Sequence, residues 1–110
     1  TRRGNPWPRL RLEDAGRLSF AALPPGQYPC FDLALAAGRS GGSAPAVLSA
    51  ADDVAVEAFL AGRIAFPEIH GLVDEALQQH QGIARPTLEE IFEADARTRA
   101  FLADRLADHP

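Results

Sequence analysis

Apolar residues recur at three- and four-residue steps from Tyr28 onward, a spacing that is typical of amphipathic helices. A first helix is predicted to start at Pro29 and to stop at Gly38. A second helix follows Ser43, a favourable N-cap residue, and ends at Gly62. The apolar positions of this second helix form one continuous stripe: Val47, Leu48, Ala51, Val54, Ala55, Ala58 and Phe59.

A third helix is predicted to open at Pro67 and to end shortly before Gly82. One face carries its apolar side chains: Ile69, Leu72, Val73, Ala76 and Leu77. Gly71 lies inside this helix, where glycine costs up to about 1 kcal/mol relative to alanine. We therefore expect Gly71 to mark a close approach to another helix.

The last helical segment begins with a capping box, Thr87-Leu88-Glu89-Glu90. Asp95 and Arg99 fall on the apolar face of this segment, where buried charge is costly. A break near Asp95, with that residue capping a second short helix, removes the conflict. The face otherwise holds Leu88, Ile91, Phe92, Leu102 and Leu106. The predicted fold is therefore all-α, a bundle of four to five helices preceded by an extended linker arm.

Residues 1–27 form the predicted arm, and residues 28–110 form the predicted helical domain. Prolines around Trp7 exclude a helix there, because proline lacks the backbone donor and restricts the residue before it. Leu10-Arg11-Leu12 and Leu18-Ser19-Phe20 alternate like short strands. Trp7 is interpreted as an anchor that packs the arm onto a neighbouring domain.

Charge and composition exclude several classes of partner. The net charge of the 110 residues is −4, which disfavours nucleic-acid binding because that binding depends on cations that neutralise phosphates. A helix-turn-helix interpretation fails for the same reason, since Pro67 to His80 contains no Arg or Lys. No apolar run approaches the roughly 20 residues that span a bilayer. The chain starts at Thr1 and has no methionine, which suggests a piece of a longer product.

The single cysteine, Cys30, excludes an internal disulfide and fits a reducing cytoplasm. Because Cys30 lies at the edge of an apolar run, we expect a buried structural thiol rather than a reactive nucleophile.

Acidic and histidine residues do not form a convincing site. Asp53 and Glu57 share a helix face that points away from the apolar stripe, and Asp52 flanks the stripe, so we interpret all three as solvated surface charge. The histidines at positions 70, 80 and 109 lack the close spacing of metal ligands.

Gly41-Gly42-Ser43 precedes a helix, as in phosphate-binding turns, but no lysine or full phosphate-binding motif accompanies it. A flexible turn followed by an N-cap explains it better. The sequence therefore assigns no catalytic, cofactor-binding or metal-ligating residue to this chain.

Several segments, taken in order and spacing, carry a resemblance to a known family. They are Leu18-Ser19-Phe20, Tyr28 to Ala34, Gly41 to Leu48, Val54 to Leu60, Gly62 to Phe66 with Ile69, Thr87 to Glu90 and Ala94 to Arg97. With them the chain resembles the C-terminal helical domain and preceding linker of 1-deoxy-D-xylulose 5-phosphate reductoisomerase. Where that family usually has Asn-Ala-Ala-Asn-Glu, this chain has Ser49-Ala50-Ala51-Asp52-Asp53. We expect altered hydrogen bonds there, at a loop or domain contact.

The resemblance implies a parent enzyme of the non-mevalonate isoprenoid pathway that rearranges and reduces deoxyxylulose phosphate with NADPH and a divalent cation, Mg or Mn. It also implies that the cofactor and metal are held by the N-terminal dinucleotide-binding and central catalytic domains, and that the parent is a cytoplasmic bacterial homodimer. This chain would then be a non-catalytic supporting domain. A stand-alone helical module that binds a partner protein is the alternative interpretation.

Overall fold

The computed structural model describes residues 3–108, and the bundle is built from four of its helices. A single helical turn, α1, spans Leu12–Ala15 within the arm. The longer helices are α2 (Pro29–Ser40), α3 (Ala44–Leu60), α4 (Glu68–Gln79) and α5 (Leu88–Ala107). Residues 3–108 contain no β-strand, so the predicted all-α class is confirmed. None of the described helices is long and apolar enough to cross a membrane.

Helix α3 is the centre of the bundle and packs extensively against both α4 and α5, while α2 covers the other side of α3 and α4. Asp53 pairs with Arg99, and the Arg63 guanidinium donates to the carbonyl of Leu106, so α3 and α5 run in parallel. Ser43, just before α3, contacts His80, just after α4, so α4 runs antiparallel to α3.

The core lies at the junction of α3, α4 and α5. Alanine occupies much of the buried face of α3, which allows close helix packing because its side chain is small. The buried cluster consists of Val47, Ala51, Ala55, Ala58, Ile64, Ile69, Leu72, Val73, Ala76, Ala94, Leu102 and Leu106. The predicted stripes of α3 and α4 are thus largely confirmed, although Phe59 lies at the surface.

The connections before α3 and before α5 are joined at one end of the bundle. The Ser43 amide donates to the carbonyl of Ile83 across 3.0 Å, and the Ile83 amide donates to Ser43 Oγ across 2.9 Å. Gly42 has φ +59°, and a Cβ at this position would overlap with the Ile83 carbonyl oxygen. Glycine is therefore required at position 42 by both conformation and space.

The close approach was predicted at the wrong glycine. A Cβ on Gly71 would meet no atom within 4 Å outside its own helix backbone. At Gly71 neither a positive φ nor a neighbouring residue among those described requires glycine. At Gly42 the backbone of Ile83 lies against the glycine.

Helix α5 is continuous, so the predicted break near Asp95 is wrong. Arg99 donates to Asp95 across 2.8 Å and to Asp53 of α3 across 2.8 Å, at the margin of the helix contact. The charges are paired and partly solvated, which removes the cost that motivated the break. The predicted burial of Leu102 and Leu106 is confirmed, but Ala94 and Thr98 complete the buried face, while Leu88 and Phe92 are exposed.

Helix α2 also differs from the prediction, because it continues past Gly38 to Ser40. Gly38 retains helical hydrogen bonding, and the chain turns at Gly41, whose φ is +67°. Glycine ends a helix most readily where a left-handed conformation is adopted, and Gly41 is that residue.

The arm, residues 3–27, is exposed throughout, and it is extended except at α1 and at a turn at residues 25–26. Its short helix α1 contacts none of α2–α5. The two predicted strands are absent because an isolated extended segment has no neighbouring strand with which to hydrogen-bond, and Leu12 instead starts α1. The radius of gyration is 18.1 Å, against about 13 Å for a compact chain of this length. The arm accounts for this extension.

Candidate functional site

The acidic residues of α3 have different environments. Asp53 forms an ion pair with Arg99, whereas Asp52 has no hydrogen-bond or ion-pair partner within residues 3–108. The pKa of Arg99 is raised, first by its hydrogen bond to Asp95 and then by its hydrogen bond to Asp53. Asp53 is therefore a structural contact between α3 and α5, whereas Asp52 is exposed at the surface.

The histidines lie apart from one another. His80 Nε2 lies 2.7 Å from Ser43 Oγ, the same oxygen that accepts the hydrogen bond from the Ile83 amide. His70 lies at the other end of α4, at the rim of a pocket described below. The remaining histidine, His109, lies outside the described residues. Between residues 3 and 108 no three His, Cys, Asp or Glu side chains are grouped as metal ligands would be.

Three of the four backbone amides in the turn before α3, residues 41–44, donate hydrogen bonds within the protein. The Gly41 amide donates to Ala37, the Ser43 amide donates to Ile83, and the Ala44 amide donates back to Gly41. An anion-binding helix N-terminus needs free amides that point at the ligand. The turn thus closes the bundle, and the Ser43 side chain accepts from Ile83 instead of capping α3 as predicted.

Cys30 is exposed, so the prediction of a buried thiol is wrong. It lies in the first turn of α2, beside α3 and the start of α4, which cover it only in part. The pKa of the Cys30 thiol is raised, first by partial burial and then by the negative charge of Asp52. Both effects disfavour the thiolate, so the environment does not activate Cys30 as a nucleophile.

An open pocket of about 440 Å³ includes Cys30, Asp52 and His70 among its lining residues. It lies where the starts of α2 and α4 meet α3 at residues 52 and 56, in and just past the middle of that helix. Cys30, Asp52 and His70 line it with polar side chains, and Tyr28 adds an aromatic ring with a hydroxyl. The other lining residues are apolar: Pro29, Val56, Phe66, Pro67 and Ile69.

The sequence analysis missed this pocket because its walls come from three helices. One local signal was available: Tyr28, Phe66 and Pro67 are apolar residues at helix starts, outside the predicted stripes. Tyr28 and Phe66 are about half or more exposed, at 51% and 69%. Phe66 packs edge-to-face on Phe59 with ring centroids 5.6 Å apart, which orients Phe66 beside the pocket.

Comparison with known proteins identifies the bundle. The sequence model described as DXP reductoisomerase C-terminal domain matches residues 1–101. The chain belongs to this family. The predicted resemblance is therefore confirmed over nearly the whole chain.

Curated relatives agree with the family assignment. The chain is 50% identical over 95 residues to 1-deoxy-D-xylulose 5-phosphate reductoisomerase of Exiguobacterium sibiricum. This alignment covers 86% of this chain and 25% of the relative. It is 48% identical over 109 residues to the protein of that name from a Synechococcus strain, covering 99% of this chain and 28% of the relative. A Bacillus cereus protein of that name is 45% identical over 98 residues, covering 89% of this chain and 26% of the relative.

The chain thus spans about a quarter of the length of the relatives it matches. Nearly all of its own residues align, so the shared part corresponds to the C-terminal domain of a larger reductoisomerase.

Proposed function

We propose that this chain is the structural C-terminal domain of a cytoplasmic, bacterial 1-deoxy-D-xylulose 5-phosphate reductoisomerase. Residues 28–110 are the helical domain, and residues 1–27 link it to the catalytic part of the enzyme. The parent enzyme would rearrange and reduce deoxyxylulose phosphate with NADPH and Mg or Mn, and would act as a homodimer. The family match over residues 1–101, at about a quarter of the relatives' length, carries this proposal.

The residues of this chain do not suit NADPH or the catalytic metal. No metal-ligand group of three is present within residues 3–108, and the amides of Gly41, Ser43 and Ala44 in the glycine-rich turn are already hydrogen-bonded within the chain. We therefore assign no cofactor, metal or catalytic role to any residue here, and we place those sites in the preceding domains of the enzyme.

The proposed role of the chain is to support those domains by packing. The arm carries large apolar side chains that the bundle leaves exposed, among them Trp7 at 76% and Phe20 at 90% exposure. An extended segment with such side chains is normally covered by another surface. The preceding domains of the enzyme are the surface that the family assignment supplies.

An activity assay with three samples tests the proposal. The complete enzyme should oxidise NADPH when deoxyxylulose phosphate and Mg²⁺ are present, and the 110-residue chain should not. The polypeptide that ends just before Thr1 should lose activity on mild heating sooner than the complete enzyme does. Turnover by the 110-residue chain would contradict the structural role, and an inactive complete enzyme would contradict the assignment of the reaction.

A further inference from the structure

The apolar pocket between the starts of α2 and α4 and residues 52–56 of α3 is a feature that the bundle does not fill with its own side chains. Its floor is formed by Val56 and the buried Ile69, and its rim by the exposed rings of Tyr28 and Phe66. Apolar walls of this kind favour an apolar occupant, since covering them removes apolar surface from water.

Asp52 adds a charge requirement at the rim of the pocket. Its carboxylate has no hydrogen-bond or ion-pair partner among residues 3–108, whereas the adjacent Asp53 is paired with Arg99. Asp52 also lies close enough to Cys30 for its charge to act on the thiol. A basic group on the occupant would complement this carboxylate and would hold the occupant in one orientation.

The path of the chain indicates which occupant reaches the pocket. The arm joins the bundle at Tyr28, which is itself a wall of the pocket. Whatever precedes the arm is tethered to this end of the bundle, at a high effective concentration. The relatives are about four times as long as this chain, so the tethered part is most of the enzyme.

We propose that this pocket receives an apolar side chain from the part of the enzyme that precedes the arm, and that Asp52 pairs with a basic residue beside that side chain. The inference rests on the proposed function, because it requires that the preceding domains exist. It goes further in naming the surface through which the bundle is held.

Cys30 serves as a reporter of the pocket, because it is the only cysteine of the chain and lines the pocket wall. The experiment compares the rate of Cys30 alkylation by iodoacetamide, read by peptide mass spectrometry, in the complete enzyme and in the 110-residue chain. The chain is a suitable reference because its buried cluster is formed by its own residues. Alkylation should be at least tenfold slower in the complete enzyme. Equal alkylation rates in the two samples would overturn this proposal about the pocket. If the complete enzyme is nevertheless active, the proposed function still stands.

A matched pair of variants tests the charge. Asp52→Arg and Glu57→Arg make the same change of charge at exposed positions of α3, but Glu57 does not line the pocket. In the complete enzyme, Asp52→Arg should bring the alkylation rate at least halfway to that of the 110-residue chain, and Glu57→Arg should not. If both variants remain protected, Asp52 does not pair with a basic residue. Protection of the 110-residue chain that grows with its concentration would identify a second copy as the occupant and would overturn the proposal.

Discussion

The backbone amide of Ile83 donates a hydrogen bond of 2.9 Å to Oγ of Ser43, and this bond joins two connections that are 40 residues apart in sequence. Ser43 is fully buried, and its own amide donates to the carbonyl of Ile83. The start of α3 is therefore fixed to the segment between α4 and α5.

Ser43→Ala is expected to lower the free energy of unfolding by about 1–3 kcal/mol, because it leaves the amide of Ile83 without an acceptor in a partly buried position. Urea unfolding followed by circular dichroism measures the change. Ser49→Ala, at an exposed position within α3, is the control and should change the free energy by less than about 0.5 kcal/mol. Equal effects of the two substitutions would show that the Ser43 contact does not stabilise the bundle.

Gly42→Ala and Gly71→Ala should have opposite effects. Gly42 has a positive φ and lies against the Ile83 backbone, so alanine there should cost at least about 1–3 kcal/mol of stability. Gly71 is inside α4 with open space beside it, so alanine there should stabilise the bundle by up to about 1 kcal/mol. Thermal unfolding of the two variants compares them directly. A stabilising Gly42→Ala would mean that the two connections do not approach as described.

The ion pair between Asp53 and Arg99 should contribute little and should depend on salt. Arg99 is 41% exposed and Asp53 is 56% exposed, so solvent screens the pair. Asp53→Asn should therefore cost less than about 1 kcal/mol, and the difference should shrink further in 1 M NaCl. Asp52→Asn, at the neighbouring position without a partner, is the control for loss of one negative charge. A cost that persists in high salt would indicate a contribution other than charge pairing.

The reactivity of Cys30 should respond to pH and to Asp52. Because the pKa of the thiol is raised, its alkylation rate should rise with pH through a midpoint above that of a free cysteine. Asp52→Asn removes a negative charge that disfavours the thiolate, so it should lower the pKa and speed alkylation at neutral pH. The increase should be less than about tenfold, since a single charge acts weakly across solvent.

The measurement is a series of alkylation rates between neutral and alkaline pH on the 110-residue chain. Glu57→Gln, which removes a charge elsewhere on α3, should leave the profile unchanged. Partial burial is the larger cause of the raised pKa, so the midpoint of the Asp52→Asn variant should still exceed that of free cysteine. An unchanged rate in Asp52→Asn would show that its carboxylate does not act on the thiol.

The elements with strong local signals were predictable from the sequence. The stripe of α3 follows from the spacing of its apolar residues, and the capping box at Thr87 has both of its predicted hydrogen bonds. These features depend on residues within one or two helical turns of each other, and local sequence specifies them.

The errors arose where a partner distant in sequence decides the outcome. Asp95 is accommodated within a continuous α5 because Arg99 pairs with it and with Asp53, which is 46 residues from Arg99. Gly42 is confined by Ile83, which no helical pattern reveals. The exposure of Cys30 and the pocket that contains it depend on how the starts of α2 and α4 pack against residues 52–56 of α3.

The exposed arm has a practical consequence for any preparation of this chain. Its extended backbone, with few internal hydrogen bonds, presents free amides and carbonyls beside bare apolar side chains. Two such arms can align as strands and bury those side chains against each other, which is the usual start of aggregation. Purified without its preceding domains, the chain should aggregate through contacts between arms while its helices stay folded. Trimming the arm, rather than redesigning the bundle, is the way to keep such a sample in solution.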